Sequence, residues 1–565
     1  MSYFLKKTKN KKGLYLQIYS GSMSKERGHV VQTCYRSLGY YDDLVAGGID
    51  DPIQHFQKEV DGLNAEERMK RKESRCRKIG DKGQLKSIGY FPLKMVLDDL
   101  GAERYLDLWQ GVRGFRFSLY DALSSLVYAR AVAPCSKRAT FHDVMPQLFN
   151  GPDLSYDQIL ECCEFAGSEY SRITELLTAL TERRYGTRTG TTYFDCTNFY
   201  FEIDREDEFR RKGPSKEMRN DPIVGLGLLL DADMIPIGMK MYPGNQSEKP
   251  VLREIISELK DKNRIKGRTV HVADKGLNCA ENITGARAAG DGYIFSKSVK
   301  QLPDKEKVWV AMDSDDWTDV LSSDGSLHYR YKECIDRFPY SYTTEKGKKI
   351  TVSLTEKRVL TWSPKLAEKK GYEIRKMAEK AKALCYSEAK RSEYGDSGRY
   401  IDFRSSGSGE KAAAVVNQDA IDRDLRLAGY NLIVTSETNM SAEEIYSAYH
   451  SLWRIEESFR VMKSSLDARP VFLQKEDCIK GHFLICYIAV LLVRIFQVHI
   501  LRGRFGTPEI MKFMRDFKVV QTGIGEFMNM SIASPFINEL SSALGIPLNN
   551  LFFDSDVLRK MGLKD

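Results

Sequence analysis

Three carboxylates, Asp195, Asp274 and Glu456, stand where their residue type and surroundings point to chemistry. Asp195 lies inside the apolar run Tyr193-Phe194-Asp195-Cys196-Thr197, where a charge is costly to bury unless it is paired or bound to metal. Asp274 closes Val270-His271-Val272-Ala273 and is followed by Lys275-Gly276, a turn. Carboxylates at strand ends of an open α/β sheet face the crevice where ligands bind. Glu456 falls on a predicted helix from Ser441 to Ser465. Seven-residue steps drift by only about 20° on a straight helix, so Tyr449, Trp453, Glu456, Arg460 and Lys463 form one stripe. Ala448, Leu452, Ile455, Phe459, Met462 and Leu466 make the adjacent apolar face. Glu456 is thereby set at the margin of the buried face, and Glu457 is turned away from both. The plainer alternatives are a turn or cap role for each aspartate and a solvated Glu456–Arg460 pair.

Together the three make hard oxygen ligands suited to Mg²⁺ or Mn²⁺. Two ions so held would activate water or a 3′-hydroxyl and stabilise the leaving oxygen in phosphodiester displacement. The eleven cysteines include no C-x-x-C pair and no Cys/His set at zinc spacing, and no P-loop supports ATP use.

The elements that must position these groups follow from pattern. Thr191 to Ile203, Ile223 to Leu230 and Ile235 to Tyr242 read as three strands, the last two joined by the turn Asp231-Ala232-Asp233-Met234. A helix over Ser247 to Lys260, a strand over Thr269 to Ala273, a helix near Cys279 to Ala289 and the strand Gly292 to Phe295 follow. Three strands, then helix, strand, helix, strand is the order of an RNase H-like core. A polar stretch, about 299 to 428, interrupts the α/β texture. The texture resumes at Tyr430 to Ser436, and Ser441 with Glu444 forms a capping box ahead of the Glu456 helix.

These blocks carry a family resemblance. Tyr449, Glu456 and Lys463 match the tyrosine, glutamate and lysine of the Y-x-x-R-x-x-x-E-x-x-x-x-x-x-K signature of insertion-sequence-four-like bacterial DDE transposases. Tyr193 to Asn198 looks like that family's first catalytic block, Ala273 to Gly276 like its second, and Pro243 to Glu248 like a further recurrent block. The resemblance runs from about 190 to 500. It implies Asp195, Asp274 and Glu456 as catalytic metal ligands for two Mg²⁺ or Mn²⁺ ions. DNA contacts are implied for Tyr449, Arg460, Lys463, Lys275 and Asn245. The signature arginine falls on Leu452, a core-face position, so Arg460 is the physical substitute as a phosphate clamp, and excision through a DNA hairpin is qualified accordingly. A base-stacking wedge would come from Trp309, Trp317 or Trp362, with core packing as the alternative for each. The partners implied are double-stranded DNA, as transposon ends and target, and a second copy in a homodimer on paired ends.

The whole chain fits this frame. Its 565 residues, 42% hydrophobic and 29% charged, exclude a disordered protein. The formal charge of +8 is weak support for a polyanionic partner, but Lys6 to Lys12 and Arg68 to Lys82 concentrate basic residues. The longest apolar run, Phe483 to Val493, is shorter than the roughly 20 residues a bilayer needs and reads as a buried helix, with no membrane partner. Scattered cysteines and no signal peptide point to reduced thiols in a cytosol; the resemblance implies that of a bacterium or archaeon, on the nucleoid when acting. The expected layout is a β-containing basic region with a hairpin (1–85), a helical DNA-binding region (86–188), an α/β RNase H-like core (189–298 and 429–504), a β-rich insertion (299–428) and a helical tail (505–565). Three functions remain open: a transposase, a structure-selective nuclease with the same core, and a non-catalytic DNA-binding protein derived from a transposase.

Overall fold

The computed structural model describes residues 2–563 except 24–29, 76–84, 150, 217–219, 312–315, 345, 387–393, 405–412 and 470. The chain divides into two compact units, Met1–Gly83 and Gln84–Asp565. In the first, β1 (Ser2–Asn10), β2 (Gly13–Met23) and β3 (Val30–Tyr40) form an antiparallel sheet in that order. The expected β2–β3 hairpin is present, and β1 is an additional strand. The first basic run lies on β1 and on the turn to β2, where Gly13 supplies the positive φ of 124°. Leu16 and Ile18 alternate inward with no exposure, as a pleat requires. After α1 (Tyr41–Ala46), α2 (Pro52–Arg75) packs Phe56 and Val60 inward. Its Asn64 side chain exchanges two 2.8 Å bonds with the Tyr3 backbone. Part of the second basic run, residues 76–82, lies outside the described residues.

The second unit opens with β4 (Leu85–Ser87) and six helices: α3 (Phe91–Leu100), α4 (Glu103–Arg113), α5 (Leu119–Val132), the short α6 (Lys137–Ala139), α7 (Tyr156–Ser168) and α8 (Tyr170–Tyr185). The sheet that carries the aspartates follows. It is built from β5 (Thr191–Tyr200), β6 (Ile223–Leu230), β7 (Pro236–Pro243), β8 (Val270–Ala273) and β9 (Gly292–Lys297), with α9 (Glu248–Asp261) and α10 (Ala280–Ala288) as crossovers. β7, β6 and β5 pair antiparallel, whereas β5, β8 and β9 pair parallel. β6 is buried at every position, which is the pattern of a central strand covered on both faces.

The polar stretch after 299 does not leave this sheet at once. Following α11 (Asp304–Ala311), β10 (Thr318–Leu321), β11 (Leu327–Thr343) and β12 (Lys349–Trp362) extend it. With α12 (Pro364–Tyr386), β13 (Ile401–Arg404), β14 (Ala413–Val416) and α13 (Gln418–Arg426) passed, β15 (Tyr430–Thr435) inserts between β12 and β9. The result is a mixed nine-stranded sheet, β10-β11-β12-β15-β9-β8-β5-β6-β7. Only the later part, α12 to α13, builds a separate small core, around Ile374, Ala381, Tyr394 and Tyr400.

The Glu456 helix departs from one straight rod. It is α14 (Ala442–His450), a tight turn at Ser451–Leu452, then α15 (Trp453–Arg460) and a π-helical turn over Val461–Ser465. The expected capping box of Ser441 and Glu444 is present. Beyond it, α16 (Glu476–Ile495) contains the apolar run and continues as a π turn to Ile500. By length and composition Glu476–Ile500 could cross a membrane, but 78% of its apolar window is buried inside the protein. It packs on α7 and α5. Gly167 and Gly481 permit the α7 crossing, because a Cβ on either would overlap the other helix's backbone.

The tail is not simply helical. α17 (Thr507–Asp516), α18 (Pro535–Leu544) and α19 (Ser555–Lys560) alternate with β16 (Lys518–Gly523), β17 (Glu526–Asn529) and β18 (Phe552–Asp554). These strands form a sheet ordered β18-β17-β16-β4, so the tail is tied to residues 85–87. Strands of three to six residues leave little local signal, and the β16–β4 pairing joins positions hundreds apart.

Candidate active site

Asp195 and Asp274 owe their proximity to register. Phe194 on β5 is opposite Ala273 on the parallel β8, so the next residue on each strand is an aspartate, on strands about 4.8 Å apart. Asp274 stands where β8 ends, ahead of the tight turn Lys275–Leu277. Asp195 accepts from the Cys196 amide at 2.8 Å. Burial pushes its carboxyl up to about 6, although Lys216 and the Cys196 amide pull the other way; the charges of Glu248 and Asp274 add to the rise.

The third carboxylate arrives on a helix. Asp195, Asp274 and Glu456 all line one cavity of about 620 Å³, together with Lys275, Tyr449, His450 and Trp453. Tyr449 Oη donates to Asp274 Oδ1 at 2.9 Å. Burial, and then the Asp274 charge, raise the phenol well above its ordinary range. Trp453, one turn before Glu456, is 56% exposed. The far wall comes from α12, the Gly395–Tyr400 turn and α13. Of the cavity's cations, Lys300 pairs with Asp424 at 2.5 Å and Lys370 with Glu373 at 2.7 Å.

The structure separates residues that the helical stripe grouped. Tyr449, Trp453 and Glu456 line the cavity, whereas Arg460 and Lys463 do not. Arg460 lies on α15 with Glu456, one turn farther from the cavity, and the π turn after Arg460 carries Lys463. Arg460 is exposed, and Lys463 lies over the Phe199 ring at 5.4 Å. Asn245 is exposed and also outside the cavity lining. Its turn is fixed by backbone packing, since a Cβ on Gly244 would overlap the carbonyls of Ile223 and Arg211. Leu452 is buried, as its core-face position requires. Glu457 is not turned to solvent. It pairs with Arg494 at 3.0 Å and accepts from Thr507 at 3.1 Å, with 11% of its side chain exposed. Among the insertion tryptophans, Trp309 and Trp317 share the Lys332 ammonium over their rings at 5.3 and 5.0 Å. Trp362 donates to the Ala428 carbonyl at 3.2 Å.

Two neighbours of Asp195 were not singled out as site residues from the sequence. Lys216 Nζ lies 3.6 Å from Asp195 Oδ1 and 3.7 Å from Glu248 Oε1, and it donates to the Cys196 carbonyl. Glu248 begins α9 and is the last residue of the Pro243 to Glu248 block, and its place in that block was the available signal. Lys216 sits in a loop with no periodicity. Among the described residues, no three of His, Cys, Asp and Glu stand close enough to enclose a metal ion. The donor set fits a hard divalent cation by chemistry, and the raised Asp195 carboxyl, facing two further acids, is a group whose charge a cation would stabilise.

No curated protein matches the chain. Residues 205–492, just over half of its length, match the family described as the transposase DDE domain. The match includes Asp274 and Glu456 and begins shortly after Asp195. The chain therefore belongs to the transposase DDE domain family.

Proposed function

We propose that this protein is a DNA transposase of the insertion-sequence-four type. It binds the terminal inverted repeats of its element, hydrolyses the phosphodiester at each end and joins the ends to target DNA by cut-and-paste. The observation that carries this reading is that Asp195, Asp274 and Glu456 line one cavity in a chain of the transposase DDE domain family. The strand order β7-β6-β5-β8-β9, with its last three strands parallel, supports an RNase H-like core.

When bound, two Mg²⁺ or Mn²⁺ ions supply Lewis acidity at the scissile phosphate and a nucleophile at neutral pH. Asp195, Asp274 and Glu456 would hold them. Tyr449 orients the Asp274 carboxylate by its hydrogen bond. Lys216 offsets the negative charge at Asp195 and Glu248. Lys275 faces the substrate phosphate from the cavity wall. Arg460, Lys463 and Asn245 contact DNA outside the cavity. The working unit is a homodimer on paired ends, in the cytoplasm of a bacterium or archaeon.

The direct test is a duplex carrying the inverted repeats that flank the gene, incubated with the protein, Mg²⁺ and a supercoiled plasmid. Cleavage at the repeat boundary and covalent joining to the plasmid are expected. Cutting without joining would mark a nuclease, and neither activity would overturn the proposal.

A further inference from the structure

A second cavity, of about 480 Å³, lies among α5, α6, residues 467 and 471–473, and α16. Arg130 and Lys137 line it and are 4% and 6% exposed. All their hydrogen-bond partners are neutral. Arg130 Nη1 donates to the carbonyls of Leu466 and Asp467 at 3.4 and 3.5 Å, both long bonds. Lys137 Nζ lies 3.4 Å from His482 Nδ1, and His482 Nε2 lies 3.1 Å from the Ala468 carbonyl. Burial, then the Lys137 and Arg130 charges, hold His482 well below its ordinary pKa. It is therefore neutral, donating from Nε2 and accepting from Lys137 at Nδ1.

Among the described residues, no carboxylate stands within ion-pair distance of Arg130, Lys137 or Arg138. Asp467, the acid in the lining, is exposed and held at φ 45°. Arg138 is exposed at the same cavity, and Phe472 beside it is 70% exposed. Two buried cations of like sign without a counter-ion are costly, and burial followed by the Arg130 charge lowers the Lys137 pKa. A bound anion would remove that cost. A guanidinium fork with an ammonium beside it is the donor set that recognises phosphate.

We propose that this cavity binds a phosphate group of the DNA backbone, with Arg130 and Lys137 as its floor and Arg138 as its rim. The choice of DNA as the source rests on the transposase reading. The cavity has a direct connection to the acid site, because the helix carrying Glu456 runs through Val461–Ser465 into Leu466 and Asp467, whose carbonyls Arg130 holds. A phosphate seated here fixes a DNA strand against the element that positions Glu456.

The test compares the full-length wild type with Arg138→Ala and Lys137→Met, using fluorescence anisotropy on a labelled duplex without divalent ions across a salt series. Each variant is expected to bind about tenfold more weakly, with a salt slope shallower by about one. Inorganic phosphate should raise the melting temperature of the wild type above that in chloride of equal ionic strength, and of neither variant. Unchanged affinity and slope in both variants would overturn the proposal. A loss confined to Lys137→Met, with Arg138→Ala like wild type, would also overturn it, as the mark of a packing role. A phosphate response in a wild type that binds no duplex would refute DNA as the source, together with the transposase reading. Duplex binding lost in both variants, in a protein that cuts no DNA, would support the cavity and count against the transposase reading alone.

Discussion

The hydroxyl of Tyr449 donates to Oδ1 of Asp274 at 2.9 Å, joining a helix to a strand end 175 positions away. The bond links α14, just ahead of the Glu456 turn, to the end of β8, so two of the three carboxylates are positioned through one contact. It also takes one of the Asp274 oxygens out of free rotation. Tyr449→Phe keeps the ring and removes only the donor. A hydrogen bond to a charged group is worth about 1.5 kcal/mol, so DNA cleavage by the variant should be about tenfold slower. Single-turnover cleavage together with thermal melting checks this. An unchanged rate would show that the bond has no part in positioning Asp274.

Glu456 and Glu457 are adjacent, yet their environments predict opposite phenotypes. Glu457 pairs with Arg494, a residue with only 6% of its side chain exposed, so Glu457→Ala leaves a buried cation without its partner. Breaking such a pair costs about 3 kcal/mol. Glu456 is exposed on the cavity wall, and Glu456→Ala should change stability by less than about 0.5 kcal/mol while abolishing cleavage. Urea denaturation of the two variants separates these outcomes. Equal destabilisation would contradict the placement of Glu456.

What the sequence disclosed follows from how local each signal is. Asp195 and Asp274 were legible because each is the one acidic residue in or at the end of a largely apolar strand, and five strands in order define their neighbours. Glu456 lines the cavity and Glu457 does not, whereas Arg460 and Lys463 of the same stripe lie outside its lining. A straight-helix projection cannot foresee the turn at Ser451 or the π turn at Val461–Ser465. Lys216 was invisible because an aperiodic loop delivers it. The strands β10 to β12 were read as an insertion apart from the core, since pairing of β12 with β15 is a long-range event that polar composition does not announce. The same holds for β16 and β4.

A buried charge cluster where β8 and β9 begin gives a pH signature apart from the acid site. Asp291, 1% exposed, pairs with Lys260 at 2.5 Å and lies 3.2 Å from His271 Nε2. Burial alone would raise its pKa, but the bonds from His271, Lys260 and the Thr269 amide outweigh it, and the net shift is downward. A carboxylate depressed in the folded state contributes stability above its unfolded pKa of about 3.9, and that stability is lost as pH falls through the folded value. The stability gap between wild type and Asp291→Asn should therefore be widest near neutral pH and shrink below about pH 4. Denaturation midpoints across that range measure it, and a gap independent of pH would refute the assignment.

The central claim is that Asp195, Asp274 and Glu456 act as one metal-dependent centre. The most direct measurement is strand cleavage of a terminal-repeat duplex by wild type, Asp195→Ala, Asp274→Ala and Glu456→Ala, with and without Mg²⁺, beside duplex binding by the same proteins. Cleavage should require Mg²⁺ and vanish in all three variants while binding persists. Cleavage retained by any one of them, or by the wild type without divalent ions, would contradict the account.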